Sequence, residues 1–218
     1  MKYGLIGEKL SHSFSKEIHS ALADYEYEIR EIPKDELSSF ILKKEFNAIN
    51  VTIPYKEAVM PHLDVISDEA KAIGSVNTVV NRSGMLYGYN TDFFGMKSLI
   101  EHAGISVAGK KAAILGSGGT ARTARAVLAH LGASEILTVG RASRDGVIDY
   151  ATLYKEHHDT ELIINTTPVG MYPNNDAYPI ELSEFRKLTG VIDAIYNPLK
   201  TKLVLKAAEL GIKSEGGL

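Results

Sequence analysis

Short apolar runs alternate with amphipathic stretches along the first half of the chain. The runs at residues 3–7, 27–32 and 46–52 have the length and apolar content of buried strands. Residues 14–23 place their apolar side chains on one helical face, and Pro33 predicts the first turn of another helix, where its missing N–H is tolerated. Strands separated by helices predict an α/β sheet that is mostly parallel.

A hairpin and a long helix follow in this half. Residues 75–80 and 85–89 are predicted strands on either side of residues 81–84, whose sequence Asn-Arg-Ser-Gly is typical of a turn. One antiparallel piece is therefore expected near this turn. Residues 93–103 form an amphipathic pattern that ends at Gly104, as helices often do. The chain is predicted to have two domains, which are residues 1–103 and residues 104–218.

The second half begins with a strand and alternates again. The apolar residues 110–115 run directly into a glycine-rich turn, and a helical pattern follows it through Leu131. Further strands are predicted at residues 135–139 and 191–196, and a helix at residues 201–210. The second domain is therefore also of the α/β class.

Composition narrows the function to work on a small molecule. The net charge is −3 and the basic and acidic residues are mixed along the chain, so no basic stripe is available for nucleic acid. There is no cysteine, and the seven histidines lack a metal-ligand spacing, which predicts no metal. No window approaches the roughly 18 apolar residues of a membrane span, and the start lacks a secretory signal. A cytoplasmic protein is expected.

The turn between the strand at residues 110–115 and its helix has a dinucleotide-binding spacing. Gly116, Gly118 and Ala121 match the pattern G-x-G-x-x-G/A in the required context of strand, turn and helix. Such a turn lets backbone N–H groups approach a pyrophosphate at a helix N-terminus. A plain tight turn is the alternative.

The residues after the next strand favour NADP over NAD. An NAD site has an acidic residue at the C-terminal end of this strand, but Glu135 stands at the N-terminal end. The C-terminal end instead carries Arg141 and Arg144, whose guanidinium groups suit a 2′-phosphate. A solvated basic turn is the alternative interpretation.

Polar residues of the first domain lie where predicted strands end. Ser11 and Ser13 could bind a carboxylate, or one of them could cap the helix that follows. Lys56 lies just beyond the strand at residues 46–52, where a lysine in a cleft can exchange protons, although most lysines are surface charges. Asp92 opens the long helix, and capping that helix is its alternative role.

Several motifs, taken together and in order, resemble the shikimate dehydrogenase family. The first four precede the glycine-rich turn and two follow it, so the resemblance spans essentially the whole chain. The motifs are Ser-x-Ser at 11–13, Asn-Val-Thr-Ile-Pro-Tyr-Lys at 50–56, Gly-Ser-Val-Asn-Thr at 74–78, Gly-x-Asn-Thr-Asp at 88–92, Asn-Thr-Thr-Pro-Val-Gly-Met at 165–171 and Asp-x-x-Tyr-Asn-Pro at 193–198.

The resemblance implies an NADP-dependent enzyme that interconverts 3-dehydroshikimate and shikimate, with an N-terminal substrate domain, a Rossmann-type domain and an active site in the cleft between them. Lys56 matches the catalytic lysine of the family and Asp92 its partner. This agrees with the chemistry, because reducing a ketone builds negative charge on an oxygen that an ammonium can protonate. The implied substrate-binding residues are Ser11, Ser13, Thr52, Asn77, Asp92 and Tyr196.

The resemblance also assigns cofactor positions. Arg141 would contact the 2′-phosphate, with Arg144 beside it. Asp68 would approach the nicotinamide half, although it could be only the cap of the helix that follows. The other implied cofactor residues are Gly116, Ser117, Gly118, Gly119, Thr120, Ala194 and Gly217.

This chain departs from the family in two places. Residues 140–142 are Gly-Arg-Ala where the family has Asn-Arg-Thr, so NADP would bind more weakly unless Ser143 and Arg144 compensate. The family follows Gly-Gly-Leu with a Met-Leu-x-x-Gln segment whose glutamine contacts substrate, and this sequence stops at Leu218. Without that segment, weaker substrate binding and an exposed apolar surface are expected.

Three rival functions follow from the same residues. An NAD-dependent quinate/shikimate dehydrogenase is disfavoured by the missing acid. A silent sensor of shikimate-like acids would not need both Lys56 and Asp92. A dehydrogenase of one-carbon folate metabolism is disfavoured by Ser11 and Ser13. The oligomeric state is left open as monomer or homodimer.

Overall fold

The computed structural model describes residues 1–10 and 15–217. The chain divides into two compact units, Met1–Thr91 and Asp92–Leu218. The predicted boundary after residue 103 and this division lie at opposite ends of one helix, Thr91–His102. The assignment of functions to two domains stays a prediction.

The first unit is built on a six-stranded mixed sheet. The strand order is β2-β1-β3-β5-β6-β4. β1, β2 and β3 are parallel, and β5 is antiparallel to both of its neighbours, which confirms the expected antiparallel piece. The elements are β1 (Tyr3–Gly7), α1 (Ser15–Leu22), β2 (Tyr27–Glu31), α2 (Leu37–Lys43), β3 (Ala48–Val51), α3 (Tyr55–Ala58), β4 (Val65–Ile66), α4 (Asp68–Ile73), β5 (Thr78–Arg82) and β6 (Met85–Tyr89), with 3₁₀ turns at Lys34–Glu36 and Met60–His62.

The hairpin is tighter than predicted. β5 continues through Arg82, so only Ser83 and Gly84 form the turn, both with positive φ, at 53° and 87°. Two such residues match the twist of the flanking strands. The strand also begins later than predicted, at Thr78, because the N–H of Val76 donates to the Lys56 carbonyl instead of a neighbouring strand.

Apolar residues from the strands and helices form the core of this unit. Tyr55 is 2% exposed, and its hydroxyl donates to the buried Ile32 carbonyl at 2.5 Å. This bond ties the first residue of α3 to the residue that follows β2. Other core members are Ile6, Leu37, Ile41, Phe46, Ile49, Val51, Val59, Val79 and Leu86.

The second unit has one six-stranded parallel sheet. Its strand order is β12-β11-β10-β7-β8-β9. In chain order within the unit this is 6-5-4-1-2-3, the Rossmann arrangement, in which a ligand binds where the order reverses. The elements are α5 (Thr91–His102), β7 (Lys111–Leu115), α6 (Gly119–His130), β8 (Glu135–Gly140), β9 (Ile148–Asp149), α7 (Tyr150–Glu156), β10 (Leu162–Asn165), β11 (Gly190–Asp193), α8 (Lys202–Glu209) and β12 (Lys213–Glu215), with a 3₁₀ turn at Leu182–Glu184.

Helices of this unit cover the sheet with apolar faces. On α6, Ala121, Ala124, Val127 and Leu128 are buried at helical spacing, while Gly119 is exposed. The predicted strand at residues 191–196 ends earlier, at the buried Asp193. Among the described residues, no helix is long and apolar enough to cross a membrane.

Candidate functional site

Strand ends bring the polar segments of the first unit to one edge of its sheet. In the register, Ile6 of β1 is opposite Val51 of β3, and Asn50 is opposite Thr78, where β5 begins. Thr78 is in turn opposite Tyr89, the last residue of β6. The segments after β1, β3 and β6 and before β5 therefore leave the sheet at the same edge, as expected for a ligand site of an α/β fold.

A chain of hydrogen bonds crosses this edge. The Tyr27 hydroxyl donates to Asn50 Oδ1 at 2.7 Å, and Asn50 Nδ2 donates to Thr78 Oγ1 at 3.2 Å. Thr78 Oγ1 then donates to Asn77 Oδ1 at 3.1 Å. The same oxygen accepts from the Thr91 N–H at 2.9 Å and from the Thr91 hydroxyl at 3.1 Å. Asn77, a predicted substrate residue, is thus held with its oxygen facing three donors.

The aromatic end of this chain is buried. Burial is the main cause that raises the pKa of Tyr27 to about 12; the nearby Tyr25 adds to the shift and a hydrogen bond with Ser15 opposes it. His19 stacks on Tyr27 with ring centroids 3.9 Å apart. Tyr27 is therefore a neutral donor at ordinary pH. The sequence did not predict the hydrogen bond from Tyr27 to Asn50, because the residue pattern of a strand does not indicate which side chains bond to one another.

Thr52 and Lys56 lie just after β3. The Thr52 N–H donates to the Ile6 carbonyl at 3.0 Å, and its carbonyl accepts from the Tyr55 N–H at 2.9 Å. Lys56 is partly buried within α3, and its carbonyl accepts from the Val76 N–H at 2.8 Å. The backbone that carries both predicted residues is therefore fixed on two sides.

Two predicted alternatives about helix caps are wrong. Asp92 lies in the first turn of α5, which begins at Thr91, so Asp92 is not the cap. Asp68 is the first residue of α4, whose cap is Ser67, because the Ser67 hydroxyl accepts from the Ala70 N–H at 3.3 Å. Asp68 is fully exposed and pairs with Lys71, one turn further along α4.

Asp92 belongs to the second unit. Ser11 and Ser13 lie outside the described residues.

The glycine-rich turn of the second unit has the predicted context, because it joins β7 to α6. Gly116 has φ of +107°, and its N–H donates to the Val139 carbonyl at 2.8 Å. A Cβ at Gly116 would lie 2.7 Å from Thr166 Oγ1, so folding itself requires glycine here.

At Gly118 and Gly119, unlike Gly116, the fold itself does not require glycine. A Cβ at either position would meet no protein atom within 4 Å, and neither has a positive φ. The chain's own packing gives no reason for glycine at these two exposed positions, whereas the close approach of a ligand to the backbone does. The first turn of α6 also has no acidic residue, so its N–H groups suit an anion. These residues fit a dinucleotide pyrophosphate.

The turn after β8 contacts the glycine-rich turn. Arg141 and Arg144 are both exposed, as are Ser117 and Thr120. Arg144 Nη2 donates to Ser117 Oγ at 2.5 Å. At least one of the two predicted phosphate-binding arginines is therefore adjacent to the predicted pyrophosphate site.

Local packing explains the departure at Gly140. A Cβ there would lie 2.9 Å from Val147 Cγ1, so the larger asparagine of the family motif has no room. Ser143 Oγ donates to Asp149 Oδ2 at 2.8 Å and accepts from the Asp149 N–H at 3.2 Å. The Thr152 N–H, followed by the Ser143 hydroxyl, lowers the pKa of Asp149. Ser143 is thus already hydrogen-bonded to the last residue of β9.

Two of the three residues predicted near the nicotinamide half lie together. The Gly217 N–H donates to the Ile195 carbonyl at 2.9 Å. A Cβ at Gly217 would lie 2.3 Å from the Ala194 carbonyl oxygen, so the two backbones are in direct contact. Tyr196, two residues after Ala194, is 54% exposed.

A buried polar cluster behind these residues was not predicted. Asp193 and Asn165, both 0% exposed, stand opposite each other at the ends of β11 and β10, and Asn165 Nδ2 donates to Asp193 Oδ1 at 2.9 Å. Thr201 Oγ1 donates to Asp193 Oδ2 at 2.6 Å. Asn165 and Asp193 each begin a motif of the family resemblance, at 165–171 and 193–198, but nothing in the sequence indicates that the two residues contact each other. Within the described ranges 1–10 and 15–217, no three His, Cys, Asp or Glu side chains cluster in a way that could hold a metal ion.

A Rossmann-ordered sheet with a glycine-rich turn at its switch point, joined to a second α/β unit, defines a dinucleotide-binding protein of the oxidoreductase type. Residues 5–79 match the shikimate dehydrogenase substrate binding domain family. The shikimate dehydrogenase (NADP(+)) of Clostridium perfringens (strain SM101 / Type A) is 38% identical over an alignment of 233 positions that covers 99% of this chain and 86% of that protein. The chain belongs to the shikimate dehydrogenase family.

Solved structures agree with this assignment. A chorismate mutase/shikimate 5-dehydrogenase fusion protein from Clostridium acetobutylicum is 35% identical, with a TM-score of 0.90 over 99% of this chain and 84% of that chain. Shikimate 5-dehydrogenase from Thermus thermophilus, in complex with NADP(H) and shikimate, is 28% identical, with a TM-score of 0.83 over 100% of this chain and 87% of that chain.

Proposed function

We propose that this chain is an NADP-dependent shikimate dehydrogenase, which reversibly reduces 3-dehydroshikimate to shikimate in aromatic amino acid biosynthesis. The observation that carries the proposal is the 38% identity to an NADP-dependent shikimate dehydrogenase over 99% of this chain. Both units and every predicted motif therefore fall within the matched length.

The second unit binds the cofactor. NADPH, when bound, supplies the hydride that reduces the ketone carbon. The backbone N–H groups at Gly118 and Gly119 would bind the pyrophosphate, since no protein atom lies within 4 Å of a Cβ placed at either position. Arg141 and Arg144 bind the 2′-phosphate, because guanidinium groups match phosphate oxygens and stay charged. A relative in complex with NADP(H) and shikimate supports the choice of cofactor.

Lys56 exchanges the proton. When the ketone is reduced, negative charge develops on its oxygen, and the ammonium of Lys56 donates a proton there to give the hydroxyl. In the reverse direction, neutral Lys56 accepts the hydroxyl proton. Asp92 orients the lysine and the hydroxyl. The hydrogen bonds that fix the backbone on both sides of α3 support this role, since a proton donor must be held in place.

The remaining predicted substrate residues recognise the ring. Ser11 and Ser13 bind the carboxylate, and Thr52, Asn77 and Tyr196 bind or cover the hydroxyl groups. Because Asn77 Oδ1 already accepts three hydrogen bonds, Asn77 meets a substrate oxygen with its amide N–H groups.

The first test is NADPH formation from shikimate by the wild-type protein and by Lys56→Ala. Lys43→Ala, an exposed lysine in α2, is the matched control. We expect NADP-dependent turnover in the wild type and in Lys43→Ala, and a loss of at least about 100-fold in Lys56→Ala. Equal turnover in all three proteins would remove Lys56 from the mechanism.

The same assay separates the rival functions. A sensor of shikimate-like acids would bind shikimate without any turnover, and an NAD-dependent quinate dehydrogenase would prefer NAD and quinate. Absence of binding to either shikimate or NADP would contradict the proposed function itself. A cytoplasmic location and a monomeric or homodimeric state stay predictions.

A further inference from the structure

The carboxylate of Asp193 joins three segments of the second unit. Its Oδ1 accepts from Asn165 Nδ2 at 2.9 Å and from the Ile195 N–H at 3.1 Å. Its Oδ2 accepts from Thr201 Oγ1 at 2.6 Å. The donors come from the end of β10, from the loop after β11 and from the cap of α8. Asp193 is 0% exposed, so none of these bonds competes with water.

The Asn165 side chain extends this connection to another loop. Its Oδ1 accepts from the Thr167 N–H at 3.0 Å and from the Thr167 hydroxyl at 2.7 Å. The Ala194 N–H donates to the Asn165 carbonyl at 2.9 Å. The loops after β10 and β11 are therefore held to each other through one buried amide and one buried carboxylate.

We propose that Asp193 is a positioning residue for the nicotinamide end of the cofactor site. The proposal rests on the proposed function, in which Ala194 and Gly217 approach the nicotinamide half and Tyr196 covers the substrate. Asp193 fixes the Ile195 N–H, and the Ile195 carbonyl in turn accepts from the Gly217 N–H. Ala194 and Tyr196 flank Ile195 in the loop that this carboxylate holds, and Gly217 binds to that loop.

The electrostatics agree with this geometry. Burial, which is the larger cause, raises the pKa of Asp193, and the Thr201, Ile195 and Asn165 donors lower it. In the part of the chain that the structure describes, no ion pair involves Asp193. Three neutral donors therefore hold the carboxylate. Removing any one of them weakens the network that the other two share.

The experiment compares binding of whole NADP⁺ with binding of 2′-phospho-ADP-ribose, which lacks the nicotinamide ring. The variants are Asp193→Asn, which keeps the side-chain shape, and Thr201→Val, with Thr201→Ser as the conservative rescue. Thr160→Val is the matched control, because Thr160 is also 0% exposed and its hydroxyl donates to the His157 carbonyl at 2.8 Å, away from this cluster. Hydrogen exchange of residues 194–197 is measured in the cofactor-free proteins.

We expect Asp193→Asn and Thr201→Val to weaken NADP⁺ binding by about tenfold, in line with the loss of one hydrogen bond to a charged group. Binding of the fragment should be unchanged, and exchange at residues 194–197 should be faster. Thr201→Ser and Thr160→Val should behave as the wild type in both respects.

Equal weakening of both ligands would overturn the proposal, because it would show a general structural defect. Wild-type binding and exchange in both Asp193→Asn and Thr201→Val would overturn it as well. If Asp193→Asn does not fold, the comparison of Thr201→Val with Thr201→Ser tests the proposal. A wild type that binds NADP⁺ but does not oxidise shikimate contradicts the proposed function and leaves the binding and exchange comparison to decide the role of Asp193.

Discussion

Replacing Gly119 by alanine separates what the fold needs from what the cofactor needs. Gly119 is the first residue of α6, and a Cβ there would meet no protein atom within 4 Å. Alanine is favoured over glycine in a helix interior by about 0.5–1 kcal/mol, which is an upper bound for the first position of a helix. We therefore expect Gly119→Ala to be at least as stable as the wild type, with a Tm higher by up to about 2–4 °C for a chain of this size.

The same methyl group should weaken cofactor binding. It would stand where phosphate oxygens approach the N-terminal N–H groups of α6. Loss of one hydrogen bond to a charged phosphate is worth about 1.5–3 kcal/mol, which corresponds to roughly a 10- to 150-fold increase in the Kd for NADP⁺. Calorimetric titration with NADP⁺ measures this change, and thermal unfolding measures the stability.

Gly116→Ala is the matched comparison. With φ of +107° and a Cβ only 2.7 Å from Thr166 Oγ1, alanine is strained at this position. We expect a loss of about 1–3 kcal/mol in the free energy of unfolding. If Gly119→Ala bound NADP⁺ as tightly as the wild type, or lost as much stability as Gly116→Ala, the division between a folding glycine and a ligand glycine would be refuted.

Three further predictions concern single residues. Arg141→Ala should raise the KM for NADP⁺ but not the KM for NAD⁺, as measured in parallel assays; equal effects would remove Arg141 from the 2′-phosphate site. Tyr27 has its pKa raised from 10.0 to about 12, so the stability it contributes is full below pH 10 and is lost as the pH rises towards 12. Tyr27→Phe, which also leaves Asn50 Oδ1 without this donor, should therefore lose less stability than the wild type between pH 10 and pH 12. Urea titrations at several pH values measure this, and an equal fall in the free energy of unfolding for both proteins would contradict it. Gly217→Ala forces a Cβ to within 2.3 Å of the Ala194 carbonyl oxygen and should lower both the Tm and NADP⁺ affinity; an unchanged Tm would show that residue 217 does not pack against Ala194.

Much of the regular structure could be predicted because apolar periodicity decides it. The strands at Tyr3–Gly7 and Lys111–Leu115 and the helix after the glycine-rich turn are confirmed almost to the residue. β4, with two residues, and β12, with three, were missed, because such short strands bury too little apolar surface to leave a pattern. Their places depend on pairing with distant strands.

The sequence could predict the candidate site only where a local motif is sufficient to identify it. The glycines of the turn could be recognised, since strand, turn and helix follow directly in the sequence. The bond between Asn165 and Asp193 could not, because it joins residues 28 positions apart that meet only through the parallel register of β10 and β11. The alternative that Asp68 caps its helix failed because neighbouring Ser67 competes for the same role.

In both units an asparagine side chain connects segments near the ends of the strands. An α/β fold places its ligand at the carboxyl ends of the strands, where the chain leaves the sheet and its loops have no ladder to hold them. An amide can donate and accept at once, so an asparagine near a strand end can connect two other segments of the chain. Asn50 connects Tyr27 to Thr78 in the first unit, and Asn165 connects Thr167 to Asp193 in the second. Because both asparagines lie behind predicted site residues, their replacement by leucine should disturb ligand binding more than replacement of an exposed asparagine such as Asn174.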